Sequence, residues 1–297
     1  MNMTLPGLTR PGVSRIGLGC RAFIGPDDRV DPRTAAALIR FAVEEGVALI
    51  DDAGSVLDGA GRRQVRRIIA TRREEILLTA HVRAEPNRSP LGGLVCDAEL
   101  RRMAVDHIDI CFLHPNGSQV PIEDHVGDLA KLVAAGKIRG LGIADGTGQD
   151  LRRAHATHPI VAISSRYSLL ERGMEVEVLP VARELGLIVV AAAPLGGGTL
   201  ADRTLDPGSA EALRHPALAK ALCELQELAT ELNTGRARLA LAWLLSRGPD
   251  VTAVPSTRDR VHLEMNLMAR RVQIPSEVAD RLTAAFPVGG FGLPGSK

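Results

Sequence analysis

Three residues have the types and placement to do acid–base chemistry: Asp51, His81 and His114. They sit in or at the ends of short apolar runs, ALID, ILLTAHV and HIDICFLH. A carboxylate beside an imidazole orients the ring and raises its affinity for a proton. A second imidazole in different surroundings can hold the opposite protonation state, so such a trio could both give and take a proton. His114 could alternatively act as an oxyanion donor. Similar places hold Cys20, Asp52, Asp145, Ser164 and Arg166, read here as pocket residues. Plainer readings stand beside these: Asp51 could cap a following helix, and a strand-end histidine is often just a hydrogen-bonded structural residue. The trio also has the composition of a two-His-one-carboxylate metal set. That composition arises easily by chance, and no metal is expected. His125, His155, His158 and His215 fall in helical or loop segments and are read as solvated.

The elements that must carry these residues alternate along the chain. Segments 14–20, 48–51, 76–82, 107–114, 138–145, 160–167, 187–193 and 251–255 read as strands. Helical patterns fill 31–45, 62–71, 92–104, 121–135, 150–156, 174–185, 217–246 (broken near 233–235), 260–268 and 275–285. Pro32 opens the first helix, and Gly46, Gly136 and Gly186 follow three helix ends, as start and stop signals should. Apolar strands alternating with helices imply a parallel sheet buried on both faces. Eight such units imply one closed barrel, expected to occupy residues 1–297 as a single domain. An open doubly wound sheet is disfavoured, because the GLG at Gly17 to Gly19 is not the dinucleotide fingerprint. Barrel sites form at the C-terminal ends of the strands, where the trio falls. The glycines 196–198 follow strand seven, where barrels commonly hold phosphate.

Composition narrows the partners. With 297 residues the chain can bury a large core. A net charge of +1 gives no electrostatic argument for nucleic acid or an anionic membrane. No apolar run reaches membrane-spanning length, and the N-terminus lacks a signal pattern. A cytoplasmic protein acting on a small molecule is expected, with its oligomeric state left open. The four cysteines show neither CxxC nor zinc spacing. Aromatics are only 2% of the chain, so a site must be walled by aliphatic and polar groups.

The ordered set GVALIDDA, DHIDICFLHP, VPIEDHVGDLAKLVAAGKIRGLGIAD, YSLLER, ARELGLIVVAAAPLGGG, ARLALAWLL and VPSTRDRVHLEMN resembles the aldo-keto reductase superfamily. The resemblance runs in register from about Ser14 to Asn266. It implies a (β/α)₈ TIM barrel of aldo-keto reductase type, an N-terminal hairpin over 5–14 that plugs the barrel floor, and a C-terminal helix over 275–286. It also implies a tetrad of Asp, Tyr, Lys and His around a nicotinamide. The tyrosine gives the proton, and the lysine, held by the aspartate, lowers its pKa. Asp51 matches the aspartate and His114 the histidine. The tyrosine falls on Val56 and the lysine on His81. Tyr167 lies in YSLL, where family members also carry a tyrosine that is not the acid.

The resemblance bears on the cofactor too. Ala144 and Asp145 stand where the family has a Ser-Asn pair, Ser164 where it has a glutamine, and Ala192 where an aromatic stacks on the nicotinamide. Leu195 and Gly196 match the pyrophosphate loop. Ser256, Thr257, Arg258 and Asn266 lie where the family grips the 2′-phosphate and adenine; Glu264 is kept, and Met265 replaces its partner. Losing a general acid costs roughly 10²–10⁴-fold in rate. The leading expectation is therefore non-redox acid/base chemistry of dehydratase, lyase, isomerase or cyclase type on a small oxygenated metabolite. The alternative is a divergent NADP(H)-dependent oxidoreductase with a histidine as proton donor. A third is a catalytically inactive binding or regulatory member.

Overall fold

The computed structural model describes residues 14–23, 31–51, 62–83, 92–115, 120–201 and 215–291. Asp52, Val56 and nearly all of the expected hairpin lie outside the described residues.

Eight strands form one parallel sheet in chain order. They are β1 (Leu18–Gly19), β2 (Leu49–Asp51), β3 (Leu77–Arg83), β4 (Ile108–His114), β5 (Ile138–Ala144), β6 (Ile160–Arg166), β7 (Ile188–Ala192) and β8 (Val251–Val254). The last strand meets the first. Ala253 N–H donates to the Arg15 carbonyl at 2.9 Å, Gly17 N–H to Ala253 at 2.8 Å and Gly19 N–H to Pro255 at 3.1 Å. The expected barrel of parallel strands is therefore present. β1 is shorter than its apolar run because Arg15, Gly17 and Gly19 bond across the seam to the β8 side, and the ladder to β2 begins only at Leu18. The seam also explains why Gly19 has no side chain: a Cβ there would lie 2.4 Å from Ser256 Oγ and 2.9 Å from the Val254 carbonyl oxygen.

Helices α1 (Pro32–Glu44), α2 (Arg62–Thr71), α3 (Gly92–Met103), α4 (Ile122–Ala134), α5 (Gly148–Thr157) and α6 (Val178–Glu184) follow their strands in turn. After β7 come α7 (Pro216–Glu231) and α8 (Arg236–Ser246), and after β8 come α9 (Arg260–Met268) and α10 (Ser276–Ala285). The break between α7 and α8 lies where the sequence places it, and Asn233 there has a φ of 49°. α5 starts two residues before its apolar pattern. Thr147 and Asp150 form a reciprocal capping box, which satisfies two of the helix's orphan N–H groups. The last helix is held by Arg172, which donates to the carbonyls of Thr283 at 2.7 Å and Phe286 at 2.6 Å.

Side chains alternate across a strand, so residues two apart share the barrel interior. The inner rows begin in an apolar floor that includes Leu49, Leu77, Ile110, Ala162 and Val190. They become polar toward the C-terminal mouth. On β3 the row reads Leu77, Thr79, His81, Arg83; on β4 it reads Ile110, Phe112, His114; on β6 it reads Ala162, Ser164, Arg166. The fold thus lifts one polar ring above a dry plug.

Phe112 is the hinge between plug and ring. It is fully buried and stacks on the His81 ring with centroids 5.1 Å apart. Its space is provided by Gly142, where a Cβ would lie 2.4 Å from the Phe112 ring. Gly142→Val is expected to destabilise the barrel by about 1–3 kcal/mol through overpacking. Urea denaturation measures this, and an unchanged midpoint would mean that the ring yields freely.

Candidate active site

A cavity of about 1050 Å³ opens at the C-terminal mouth. That is at the upper end for small-molecule sites. Asp51, His81, His114, Asp145, Ser164 and Arg166 all line it. Four of these form a continuous chain of polar contacts. Asp51 Oδ1 lies 3.2 Å from His81 Nε2. His81 Nδ1 lies 2.9 Å from His114 Nε2. His114 Nδ1 lies 3.5 Å from Asp145 Oδ2.

Each link has a local cause. Asp51 ends β2, where Thr79 Oγ1 donates to its Oδ1 at 2.7 Å; it is thereby committed to β3. His81 is paired in register with Phe112, and Arg83 with His114, so the two imidazoles meet diagonally across β3 and β4. Asp145 lies one residue beyond β5, although the sequence places it at the end of that strand. Its φ of 53° is the left-handed conformation that Asp tolerates better than most residues. This turns the chain out of the sheet while the Asp145 N–H still donates to the Ser164 carbonyl at 2.9 Å.

The side chains of Asp51, His81 and His114 are 15%, 21% and 12% exposed, against 46% for Asp145. The inner three are shielded enough for their charges to interact strongly. Burial alone would raise the Asp51 pKa. The His81 hydrogen bond and charge, the Thr79 hydroxyl and the His114 charge outweigh it and hold the carboxyl below the usual range. Asp145 is also held low, chiefly by its hydrogen bond from His114 against some burial, with help from the charges of His114, His81 and Arg166. Both carboxylates are therefore ionised at neutral pH.

The chain's single tyrosine, Tyr167, stands apart from this group. It is fully buried and donates its hydroxyl to Glu175 Oε1 at 2.9 Å. Burial, with the Glu175 charge, pushes its pKa further up. It does not line the cavity, and neither do the described lysines Lys131, Lys137 and Lys220. Among the described residues no group of three His, Cys, Asp or Glu side chains is arranged to hold a metal ion.

The other wall of the cavity is built by β7, β8 and α9. Leu195, Ser256, Thr257 and Asn266 line it, and Thr257 and Asn266 are buried polar residues. They could hold an elongated ligand with polar groups. Gly196 and Arg258 stand behind this wall: Gly196 packs against Leu170, and Arg258 is exposed on the segment before α9.

Two sequence expectations need correction. Cys20 is fully buried and is no pocket residue; it is core, as its apolar run suggests. His125 is buried, not solvated, because it shares the inner face of α4 with Ile122, Val126 and Leu129. The sequence also does not single out Thr79, Arg21 or Arg83. The signal for Thr79 and Arg83 is their two-residue spacing from His81.

The aldo/keto reductase family model matches residues 15–286. A Glycine max protein described as "Probable aldo-keto reductase 1" is 30% identical over 305 residues, spanning 93% of this chain and 86% of its own length. An aldo/keto reductase from Klebsiella pneumoniae in complex with NADP and acetate matches with a TM-score of 0.77 at 26% identity, covering 97% of this chain and 96% of its own. A structure from the same organism in complex with NADPH gives a TM-score of 0.77 at 26% identity, covering 93% and 92%. The chain belongs to the aldo/keto reductase family.

The carboxylate pKa directions set a stability test. A carboxyl whose folded pKa is depressed contributes stability above its unfolded value, and loses it as pH falls through the folded value. For Asp51 that window lies below about pH 4. Asp51→Asn should be less stable than the native protein at neutral pH, with the gap narrowing as pH falls below about 4. Urea midpoints across that range measure it, and a gap that holds constant would contradict the assignment.

Proposed function

We propose that this member of the aldo/keto reductase family is an NADP(H)-dependent oxidoreductase in which the His81–His114 pair does the proton transfer usually given to a tyrosine. One observation carries the reading: the 2.9 Å contact between two imidazole nitrogens, flanked at each end by an ionised carboxylate. The NADP-bound relatives support the redox half of it.

Proton counting gives the mechanism. The chain from Asp51 to Asp145 contains three contacts, each satisfied by one proton. Neither carboxylate brings one. Two imidazoles must then hold three protons, so one ring is neutral and the other is an imidazolium. The middle proton lies between His81 Nδ1 and His114 Nε2, at the cavity wall. A carbonyl oxygen that enters between the two nitrogens accepts it as negative charge develops. The new hydroxyl then donates to one of them, so that two bare lone pairs are never left facing each other. Asp51 and Asp145 hold both rings by their outer nitrogens and keep the proton directed inward. In the reverse direction the pair, one proton short, takes the proton of an alcohol. The mechanism uses His81 in the lysine's place and does not need Val56.

Leu195, Ser256, Thr257 and Asn266 would hold the dinucleotide, with Gly196 shaping the loop and Arg258 at the 2′-phosphate end. When bound, NADPH supplies the hydride for the carbonyl carbon. The volume and the two-sided lining of the cavity fit such a ligand beside a small substrate.

A second reading keeps the proton chemistry and drops the redox step: dehydration, isomerisation or a related lyase or cyclase reaction by the same pair. Ala192, with no ring to stack on a nicotinamide, and Asp145, a carboxylate where a Ser-Asn pair would grip its amide, favour it.

NADPH oxidation over a panel of small aldehydes and ketones tests the proposal. His81→Ala and His114→Ala should each lower turnover by about 10²–10⁴-fold while NADPH affinity holds. The double variant should be about as impaired as either single one, because residues acting as a unit are not additive. Full turnover in either single variant would overturn the proposal. Histidine-dependent turnover without NADPH would establish the second reading instead.

A further inference from the structure

We infer that the substrate carries a carboxylate, held at the cavity mouth by Arg83 with Arg21 beside it. The inference rests on the reading of this cavity as the substrate site.

The two walls of the cavity differ in kind. The β7–β8–α9 wall is largely apolar, with Ala192, Pro194, Leu195, Val254 and Met265 among its residues. On the wall built from β1 to β6, Ala22 is the one apolar residue among the described lining. A hydrocarbon substrate would gain little there, since hydrophobic binding scales with the apolar area removed from water. The polar groups on that wall are mostly committed. Asp51 is held by Thr79 and His81, and Asp145 faces His114. Arg166 donates to Glu171 at 2.6 Å. No described carboxylate pairs with Arg83 or Arg21. Among the described residues the wall therefore offers uncompensated positive charge.

Placement makes this charge usable. Thr79, His81 and Arg83 are successive inner positions of β3. Arg83 therefore stands one inner step above His81, roughly 7 Å along the strand. Arg21 lies in the turn after β1, and β2 stands between β1 and β3, so the two arginines line the cavity on either side of the β2 end that carries Asp51. A carbonyl oxygen at the imidazole pair would leave a group two or three bonds away at the arginine level. The guanidinium fork matches a carboxylate in two parallel hydrogen bonds. β3 is far around the barrel from β7 and β8, so Arg83 is remote from the proposed dinucleotide phosphates. The substrate class is a short oxo acid, or the hydroxy acid in the reverse direction.

Calorimetry with succinate, an unreactive dicarboxylate, tests the inference on the full-length protein with and without saturating NADP⁺. Succinate should bind saturably in both cases, succinamide should not, and Arg83→Gln should weaken succinate at least tenfold. The same variant should keep its thermal midpoint and its NADP⁺ affinity. Arg21→Gln should weaken succinate to a lesser extent. In turnover, 4-oxobutanoate should be preferred over butanal, and Arg83→Gln should erase the preference. Absence of succinate binding, equal binding of succinamide, indifference to Arg83→Gln, or displacement of succinate by NADP⁺ would each overturn the inference. Failure to bind NADP⁺ would instead overturn the redox reading, and the succinate titration would still decide this one.

Discussion

Two imidazole nitrogens 2.9 Å apart must have a proton between them. Without one, two lone pairs would face each other in a shielded pocket. Much of the site follows from satisfying that contact. Asp51 and Asp145 occupy the outer nitrogens and orient the rings. Thr79 fixes Asp51. Phe112 supports His81 from below, and Gly142 makes room for Phe112. The chain of causes thus runs from a missing side chain on β5 to a proton at the cavity wall.

The barrel supplies the other constraint. Its strands present every second residue inward, and the inner rows pass from apolar to polar within two or three steps. The apolar plug gives rigidity, and the polar ring gives chemistry at a fixed height. Such a scaffold can change its chemistry by changing ring residues while the plug stays dry. His81 on β3 and Asp145 after β5 are two residues of that ring, and they touch each other through His114.

Much of this was legible in the sequence. Apolar runs alternating with helical patterns place all eight strands, and the strand-end rule brings Asp51, His81, His114 and Asp145 to one mouth. What could not be read was contact. Strand ends are a property of the chain, whereas the His81–His114 pairing depends on a register that sets His81 opposite Phe112 and Arg83 opposite His114. Cys20 illustrates the same limit: it is next to a strand end yet fully buried, because its side chain belongs to the hydrophobic core and not to the barrel mouth. His125 shows that a polar letter in a helix says little until its face is known. The family resemblance, with Val56 at the tyrosine's place, weighed toward non-redox chemistry; the relatives' NADP and NADPH complexes favour the oxidoreductase alternative.

The most direct test is a calorimetric titration of the cofactor-stripped protein with NADPH and NADP⁺. The account predicts saturable binding at micromolar concentration, weakened by substitution of Thr257, Arg258 or Asn266. No binding at millimolar cofactor would contradict it, and would leave the histidine pair to non-redox acid–base chemistry.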